Sequence, residues 1–174
     1  RQGLGMRVLA HSRSPLASDA LAQSASLDDL LADSDFVVLA CPLTDSTRGL
    51  LGAAQLARMK PGAFLVNVAR GPVVDEAALV EALRAKRLAG AALDVFDTQP
   101  LPDAHPFWQL PQVIVTPHIA WATREARARL MQIAVANVVA FQSLSKRSNL
   151  PGMRVGFVAG DAKFLARFHE LRNV

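Results

Sequence analysis

Three short apolar segments, each followed by a polar turn, constrain what this chain can fold into. They cover residues 63–66, 91–96 and 113–116, and a clear helix pattern at residues 76–87 separates the first two. Alternation of strands and helices predicts an α/β fold with a parallel sheet. Ligands of such sheets bind at the carboxyl ends of the strands. The residues just beyond the three segments are therefore the first candidates for a functional site.

Each of the three turns carries a side chain suited to chemistry. Arg70 follows the first segment, in a turn shaped by Gly71 and Pro72, and Asp75 is placed to cap the next helix. An arginine at a strand end can bind a carboxylate through two parallel hydrogen bonds, although it can also pair with a surface acid. Gln99 and His118 follow the second and third segments. The sequence thus predicts that Arg70, Gln99 and His118 share one edge of the sheet.

The three turns also carry a family resemblance. The motifs N-x-A-R-G-x-x-V-D, L-D-V-F-x-x-x-P-L-P and T-P-H-I, in this order, resemble the D-isomer-specific 2-hydroxyacid dehydrogenases. The resemblance runs from about Met6 to Phe141. It is strongest with the glyoxylate/hydroxypyruvate reductase and glycerate dehydrogenase branch, because of residues 117–123. It implies a Rossmann-like doubly wound parallel sheet at residues 1–143, incomplete at the N-terminus, followed by a basic tail at residues 144–174.

The incompleteness is itself an expectation from the resemblance. A glycine-rich phosphate loop, its helix and most of a substrate domain would precede the strand expected at residues 6–11. Gly3 and Gly5 do not supply that loop, because the dinucleotide fingerprint must follow a strand and open a helix. We therefore expect residues 1–174 alone to be catalytically inactive and to bind dinucleotide weakly.

The resemblance assigns catalytic roles. Arg70 would bind the carboxylate of a small 2-keto acid, His118 would donate a proton to its carbonyl oxygen, and Gln99 would orient His118. Trp121 would wall the substrate pocket, or else pack under the start of the following helix or on a partner. The family usually has Glu at position 99, and an amide can fix the imidazole without stabilising its charge. Formate dehydrogenases carry a similar Gln-His pair, which leaves a second enzymatic reading open.

Cofactor binding is expected near the same turns. Ser12, Arg13 and Ser14 stand where NAD-preferring proteins place an acid, so they favour NADP(H) over NAD(H), unless Arg13 merely faces solvent. Asp94 lies in an apolar segment, where a carboxylate must be hydrogen-bonded. By resemblance it would hold the nicotinamide carboxamide, and the alternative is that it accepts from neighbouring loop amides. The resemblance adds these cofactor contacts: Cys41, Pro42, Val68, Ala69, Arg70, His118 and Ala120.

Composition narrows the partners. Residues 1–143 hold equal numbers of basic and acidic residues, so the net charge of +4 belongs to residues 144–174. This balance argues against nucleic acid binding, and no apolar run approaches the roughly 20 residues that cross a bilayer. A single cysteine excludes an internal disulfide and favours a cytoplasmic protein. We expect no metal, a homodimer by resemblance, and His105 in a structural role, exposed or hydrogen-bonded to its loop.

Further expectations concern one strand, two helices and the possibility that the protein is not an enzyme. Residues 36–40 should form a strand covered on both faces. Residues 124–141 should form a core-facing helix capped by Thr123, with an apolar stripe that includes Ala126, Leu130, Ile133 and Ala134. A second helix is expected at residues 162–172. A non-enzymatic alternative also stays open, in which the chain is a remnant or a cofactor-binding module without chemistry.

Overall fold

The computed structural model describes residues 5–14, 16, 21–137, 140–143 and 156–159. The chain divides into two compact units, Arg1–Ala120 and Trp121–Val174. This division falls before the boundary expected after residue 143, and the extent of the dinucleotide-binding domain stays a prediction. The helix expected at residues 162–172 lies outside the described residues.

The first unit alternates strands and helices, as the sequence predicts. Its strands are β1 (Leu9–Ala10), β2 (Gln23–Ser24), β3 (Phe36–Leu39), β4 (Phe64–Asn67), β5 (Gly90–Leu93) and β6 (Val113–Val115). Its α-helices are α1 (Leu27–Asp33), α2 (Ala53–Arg58) and α3 (Glu76–Arg84), with short 3₁₀ turns at Gly71–Val73 and Pro106–Gln109. Ser26 and Asp75 cap α1 and α3 by accepting from the backbone N–H groups of Asp29 and Ala78.

Four strands form one parallel sheet in the order β3-β4-β5-β6. The register pairs Leu39 with Asn67, Asn67 with Leu93, and Leu93 with Val115. All four strands therefore end at the same level, and the turns that follow them lie along one carboxyl edge. This arrangement confirms the parallel α/β sheet expected from the sequence.

One face of this sheet is buried and the other is exposed. Alternate strand residues point to opposite faces, and Val37, Leu39, Leu65 and Leu93 belong to the core formed with the helices. On the other face Phe36 is 56% and Val38 is 58% exposed. The expectation that residues 36–40 are covered on both faces is therefore wrong. Right-handed crossovers through α2 and α3 place both helices on the same face, which explains the difference.

The beginning of the described chain differs from the expectation of a strand at residues 6–11. Only Leu9–Ala10 is a strand, and it pairs in parallel with Gln23–Ser24 in a separate two-stranded sheet. The strand at Gln23–Ser24 has no apolar pattern and was not foreseen. Within the described residues β1 is not hydrogen-bonded to the four-stranded sheet.

The second unit contains α4 (Arg124–Asn137) and the strands β7 (Ala140–Ser143) and β8 (Gly156–Ala159), which pair antiparallel. Thr123 caps α4 by accepting from the backbone of Ala126. The expected helix through residue 141 is wrong at its end, because residues 140–143 pair with a strand far along the chain. The core-facing prediction is also wrong, since residues 124–134 are all exposed. Among the described residues no helix is both long and apolar enough to span a membrane.

Candidate functional site at the carboxyl edge of the sheet

A buried amide fixes the turn that carries Arg70. Asn67, the last residue of β4, is 2% exposed. Its Oδ1 accepts from the backbone of Ala69 at 3.0 Å, and its Nδ2 donates to the carbonyl of Arg70 at 3.1 Å. Arg70 is exposed, and its Nη1 donates to the carbonyl of Ala69 at 2.7 Å. The guanidinium thus stands on a rigid turn, a role of Asn67 that sequence reasoning missed although a polar residue ending an apolar strand was visible.

A glycine brings the second turn against the first. A Cβ added at Gly71 would lie 2.0 Å from the carbonyl carbon of Phe96 and 2.5 Å from the nitrogen of Asp97. Only a residue without a side chain allows the two backbones to approach this closely. The Arg70 turn and the loop that carries Gln99 are therefore in direct contact.

Gln99 and His118 form the pair that the sequence predicts. The Oε1 of Gln99 lies 2.9 Å from the Nδ1 of His118, and the Nε2 of Gln99 donates to the carbonyl of Phe96 at 3.2 Å. Because the amide nitrogen donates to that carbonyl, Oε1 is the acceptor toward His118, and Nδ1 carries the hydrogen. The other ring nitrogen, Nε2, is then the atom that gains or loses a proton. The catalytic roles of both residues stay predictions.

Asp94 organises the loop that carries His118. Its Oδ1 accepts from the hydroxyl of Thr116 and from the backbone of Ile119 at 2.8 Å, and its Oδ2 accepts from Ala120 at 2.9 Å. His118 has a φ of 56° and occupies the left-handed region, so the N–H groups of the next two residues converge on one carboxylate. Asp94 is 4% exposed. Its hydrogen bonds meet the expectation that a carboxylate at this buried position has donors.

These contacts also set the charge of Asp94. Burial raises the pKa of its carboxyl, but the hydrogen bonds from Thr116, Ala120 and Ile119, with the nearby charge of His118, outweigh burial and lower it. Asp94 therefore accepts from neighbouring loop amides, which was the alternative to a contact with a carboxamide. Its Oδ2 receives a single donor in these bonds and has a second lone pair, and the carboxamide role stays a prediction.

The other predicted cofactor contacts divide between two places. Cys41, Pro42, Val68 and Ala69 follow β3 and β4, so they lie along the same carboxyl edge as Arg70. Ser12, Arg13 and Ser14 follow β1, and strand pairing does not bring them to that edge. The Ser12 hydroxyl donates to the carbonyl of Ser14, which closes a turn around the exposed Arg13. Trp121 begins the second unit and is exposed, and its substrate contact stays a prediction.

A cavity of about 690 Å³ lies beside α3, with Arg48, Asp75, Arg84 and His105 in its walls. Neither Arg70, Gln99 nor His118 lines it. The paired and anchored side chains at the strand ends therefore lie outside this cavity. Within the described part of the chain no group of three or more metal-ligating side chains is present.

The edge combines a guanidinium with a paired imidazole. A guanidinium binds a carboxylate, and a ring nitrogen with a fixed tautomer exchanges one proton with an adjacent oxygen. This chemistry suits a substrate in which a carbonyl or hydroxyl neighbours a carboxylate.

Comparison with known proteins finds similar sequences among the D-2-hydroxyacid dehydrogenases. Residues 1–120 match the sequence model described as D-isomer specific 2-hydroxyacid dehydrogenase, NAD binding domain. Residues 112–173 match the model of aminotransferase class I and II, but this match covers less than half of the chain. A glyoxylate reductase of Aeropyrum pernix is 44% identical over 157 residues, which are 88% of this chain and 47% of the relative.

Solved structures of similar proteins contain NADPH in one case and NAD⁺ in another. A D-isomer specific 2-hydroxyacid dehydrogenase from Xanthobacter autotrophicus Py2, in complex with NADPH and MES, matches with a TM-score of 0.66 and 44% identity over 74% of this chain and 42% of that one. D-lactate dehydrogenase with NAD⁺ from Lactobacillus jensenii matches with a TM-score of 0.70 and 33% identity over 76% and 44%. The chain therefore spans about half the length of the proteins it matches.

Proposed function

This chain belongs to the D-isomer specific 2-hydroxyacid dehydrogenase family, because residues 1–120 match the NAD binding domain of that family. We therefore propose that the protein is an NAD(P)H-dependent oxidoreductase. The enzyme would interconvert a small 2-keto acid, of the glyoxylate or hydroxypyruvate type, and its D-2-hydroxy acid. The observation that carries the proposal is the Gln99–His118 pair beside the Arg70 turn at one edge of a parallel sheet. The name of the A. pernix relative supports the substrate class.

The chain's own residues bind and protonate the substrate. Arg70 holds the carboxylate with its guanidinium, which leaves the carbonyl next to it free to turn toward His118. Gln99 keeps the hydrogen on Nδ1, so His118 as imidazolium donates from Nε2 to the carbonyl oxygen and takes the proton back in the reverse direction. A bound nicotinamide dinucleotide supplies or accepts the hydride.

The carboxyl edge fits such a cofactor. Dinucleotides lie across the carboxyl ends of parallel strands, where Val68 is exposed and Cys41 is half-buried at successive strand ends. Asp94 has a lone pair left on Oδ2 for an amide donor. We assign these residues to cofactor contact on this ground, together with Pro42, Ala69 and Ala120.

Kinetics of the full-length protein test the catalytic assignment. With glyoxylate and hydroxypyruvate, His118→Ala should lower kcat/KM by about 10²–10⁴-fold, the usual contribution of a general acid. Arg70→Ala should mainly raise KM. Arg58→Ala is the matched control, because Arg58 pairs with Asp28 and lies in the last turn of α2, toward the opposite edge of the sheet. Full activity of His118→Ala, or turnover of formate in place of keto acids, would contradict the assignment.

We further propose that NADPH is preferred over NADH. Arg13 is exposed on a turn closed by Ser12 and Ser14, where it can pair with a 2′-phosphate, and no acid in that turn is available for a ribose 2′-hydroxyl. The ratio of kcat/KM for the two cofactors measures this. Arg13→Ala should reduce the preference while Arg58→Ala keeps it. A preference for NADH that persists in Arg13→Ala would refute the role of Arg13.

Assembly and location complete the proposal. We propose a homodimer in the cytoplasm that acts on small molecules and binds neither nucleic acid nor membrane. The single cysteine and the charge balance of residues 1–143 support this reading. Light scattering of the purified full-length protein tests the dimer, and a monomer at micromolar concentration would exclude it.

A further inference from the structure

The loop that carries Gln99 is held at both ends by one carboxylate outside the site. Glu76, the first residue of α3, accepts from the backbone of Asp97 through Oε1 at 2.9 Å. Its Oε2 lies 3.4 Å from the Nε2 of His105. Asp97 comes two residues before Gln99, and His105 follows at the end of the loop. Both side chains of the Glu76–His105 contact are 18% exposed, so the contact is largely shielded from water.

The far end of the loop is anchored in the core. The Nδ1 of His105 accepts from the backbone of Phe107, so Nε2 carries the hydrogen that points to Glu76. The ring of His105 packs on Phe107 with centroids 4.5 Å apart, and Phe107 is buried. Of the two predicted states of His105, exposed or hydrogen-bonded to its loop, the structure shows the second, whereas its contact with Glu76 was not predicted.

We propose that Glu76 is a positioning residue for the proton-transfer pair, acting through the 97–105 loop on Gln99 and through Gln99 on His118. The inference rests on the proposed function but concerns a residue that is not among the candidate site residues. The loop has no helix or strand between residues 97 and 105. The contacts of Glu76 therefore help to fix where the Gln99 amide stands relative to the His118 ring, together with the bond from Gln99 to Phe96. Loss of this carboxylate lets the loop move away, and the ring loses the acceptor that keeps its hydrogen on Nδ1.

The first test uses the 174-residue chain and needs no turnover. Nitrogen NMR of ¹⁵N-histidine-labelled protein reports the tautomer of the neutral His118 ring, and a His118→Gln spectrum assigns its signals among the four histidines. Wild type should show the Nδ1–H form, and Gln99→Ala sets the end point without the acceptor. Glu76→Ala should shift the populations toward that end point. Glu81→Ala is the matched control on the same helix, because Glu81 is exposed and pairs with Arg84.

The second test separates positioning from stability in the full-length enzyme. Glu76→Ala should lower kcat by about 10- to 10²-fold, as expected for a displacement of about 1 Å, with little change in KM for the keto acid. In a Gln99→Ala background the same substitution should have almost no further effect on kcat. Additive losses, or a wild-type tautomer of His118 in Glu76→Ala, would overturn the proposal.

A conservative variant covers the case in which Glu76→Ala fails to fold. Gln at position 76 keeps the volume but replaces one of the two acceptor oxygens with an NH₂ donor, so it can keep only one of the contacts with Asp97 and His105 in their present geometry. Glu76→Gln should therefore give a smaller shift in the same direction. A wild-type tautomer in folded Glu76→Gln would also contradict the role. If the tautomer shifts while the enzyme reduces no keto acid, the positioning role stands and the proposed function fails.

Discussion

Gly71 is the position where one methyl group should separate the Arg70 turn from the Gln99 loop. In Gly71→Ala the new Cβ would lie 2.0 Å from the carbonyl carbon and 2.2 Å from the oxygen of Phe96, and 2.5 Å from the nitrogen of Asp97. All three are backbone atoms, so no side-chain rotation relieves the clash. Carbon atoms make favourable contacts at about 3.5–4.0 Å. The two backbone segments must therefore move apart by roughly 1.5 Å.

Two losses follow from this displacement. Overpacking a buried position costs about 1–3 kcal/mol, and a clash with backbone belongs at the upper end of that range. The displaced loop carries Gln99, and a misplacement of about 1 Å near a catalytic group can cost on the order of 10²-fold in rate. Gly71→Ala should thus lower both the free energy of unfolding and keto-acid reduction by the full-length protein.

Urea denaturation of the chain measures the first loss. Trp108 donates to the carbonyl of Pro102 within the Gln99 loop, so its fluorescence reports that region. A Trp121→Phe background leaves Trp108 as the sole tryptophan. Gly52→Ala is the matched control, because a Cβ there meets its nearest atoms at 3.6 and 3.9 Å. It occupies a helix N-cap and should cost less than about 1 kcal/mol.

The comparison of the two glycine variants shows whether the close approach at Gly71 holds the Arg70 turn and the Gln99 loop together. If Gly71→Ala unfolds at the same urea concentration as Gly52→Ala, the close approach at Gly71 does not hold the two turns together. If it is destabilised but retains full activity, the turns tolerate separation and the positioning argument fails.

Other substitutions test which groups of the site are charged and which residue influences the proton donor. The pKa of Asp94 is lowered from 3.8, so its carboxylate stabilises the fold above that value and the gain is lost as the pH falls through the folded pKa. The difference in unfolding free energy between wild type and Asp94→Asn, about 1–3 kcal/mol at neutral pH, should shrink below about pH 4. Thr116→Val should raise the pKa of Asp94, as followed by carboxyl NMR, because one donor to the carboxylate is removed. Gln99→Glu should extend the pH–rate profile for keto-acid reduction toward alkaline pH, since a carboxylate favours the protonated form of His118. Superimposed profiles would show that residue 99 does not influence the proton donor.

The parallel sheet and its functional edge were predictable because both follow from local patterns. Continuous apolar segments ending in turns specify strands, and parallel strands end at one edge. This reasoning located Arg70, Gln99 and His118 in turns along that edge. The pairing of Gln99 with His118 came from the resemblance, because spacing alone does not tell which turn reaches which.

The remaining features depend on contacts between distant segments. Thr116 meets Asp94 because β5 and β6 are neighbours in a fixed register, and no local pattern in either strand encodes that bond. The apolar spacing at residues 124–134 predicted the helix α4 correctly but not its exposure, because periodicity does not say what a helix face packs against. Residues 140–143 fit a helix or a strand locally, and pairing with residues 156–159 decides for a strand.

In the candidate site, exposed side chains stand on turns that buried polar groups hold in place. The turn at residues 67–70 allows the roles of the exposed and the buried residue to be tested separately. Arg70 is exposed, so its substitution removes few packing contacts, whereas Asn67 is buried and satisfies two backbone groups of the same turn. Arg70→Ala should therefore change the free energy of unfolding by about 0.5 kcal/mol or less. Asn67→Leu keeps a similar volume but leaves a buried N–H and a carbonyl without their partner, which should cost about 1–3 kcal/mol. Both variants should weaken binding of the keto-acid carboxylate, since one removes the guanidinium and the other frees its turn. Urea denaturation and KM in the full-length protein measure the two effects, and equal destabilisation by both variants would show that Arg70 itself supports the fold.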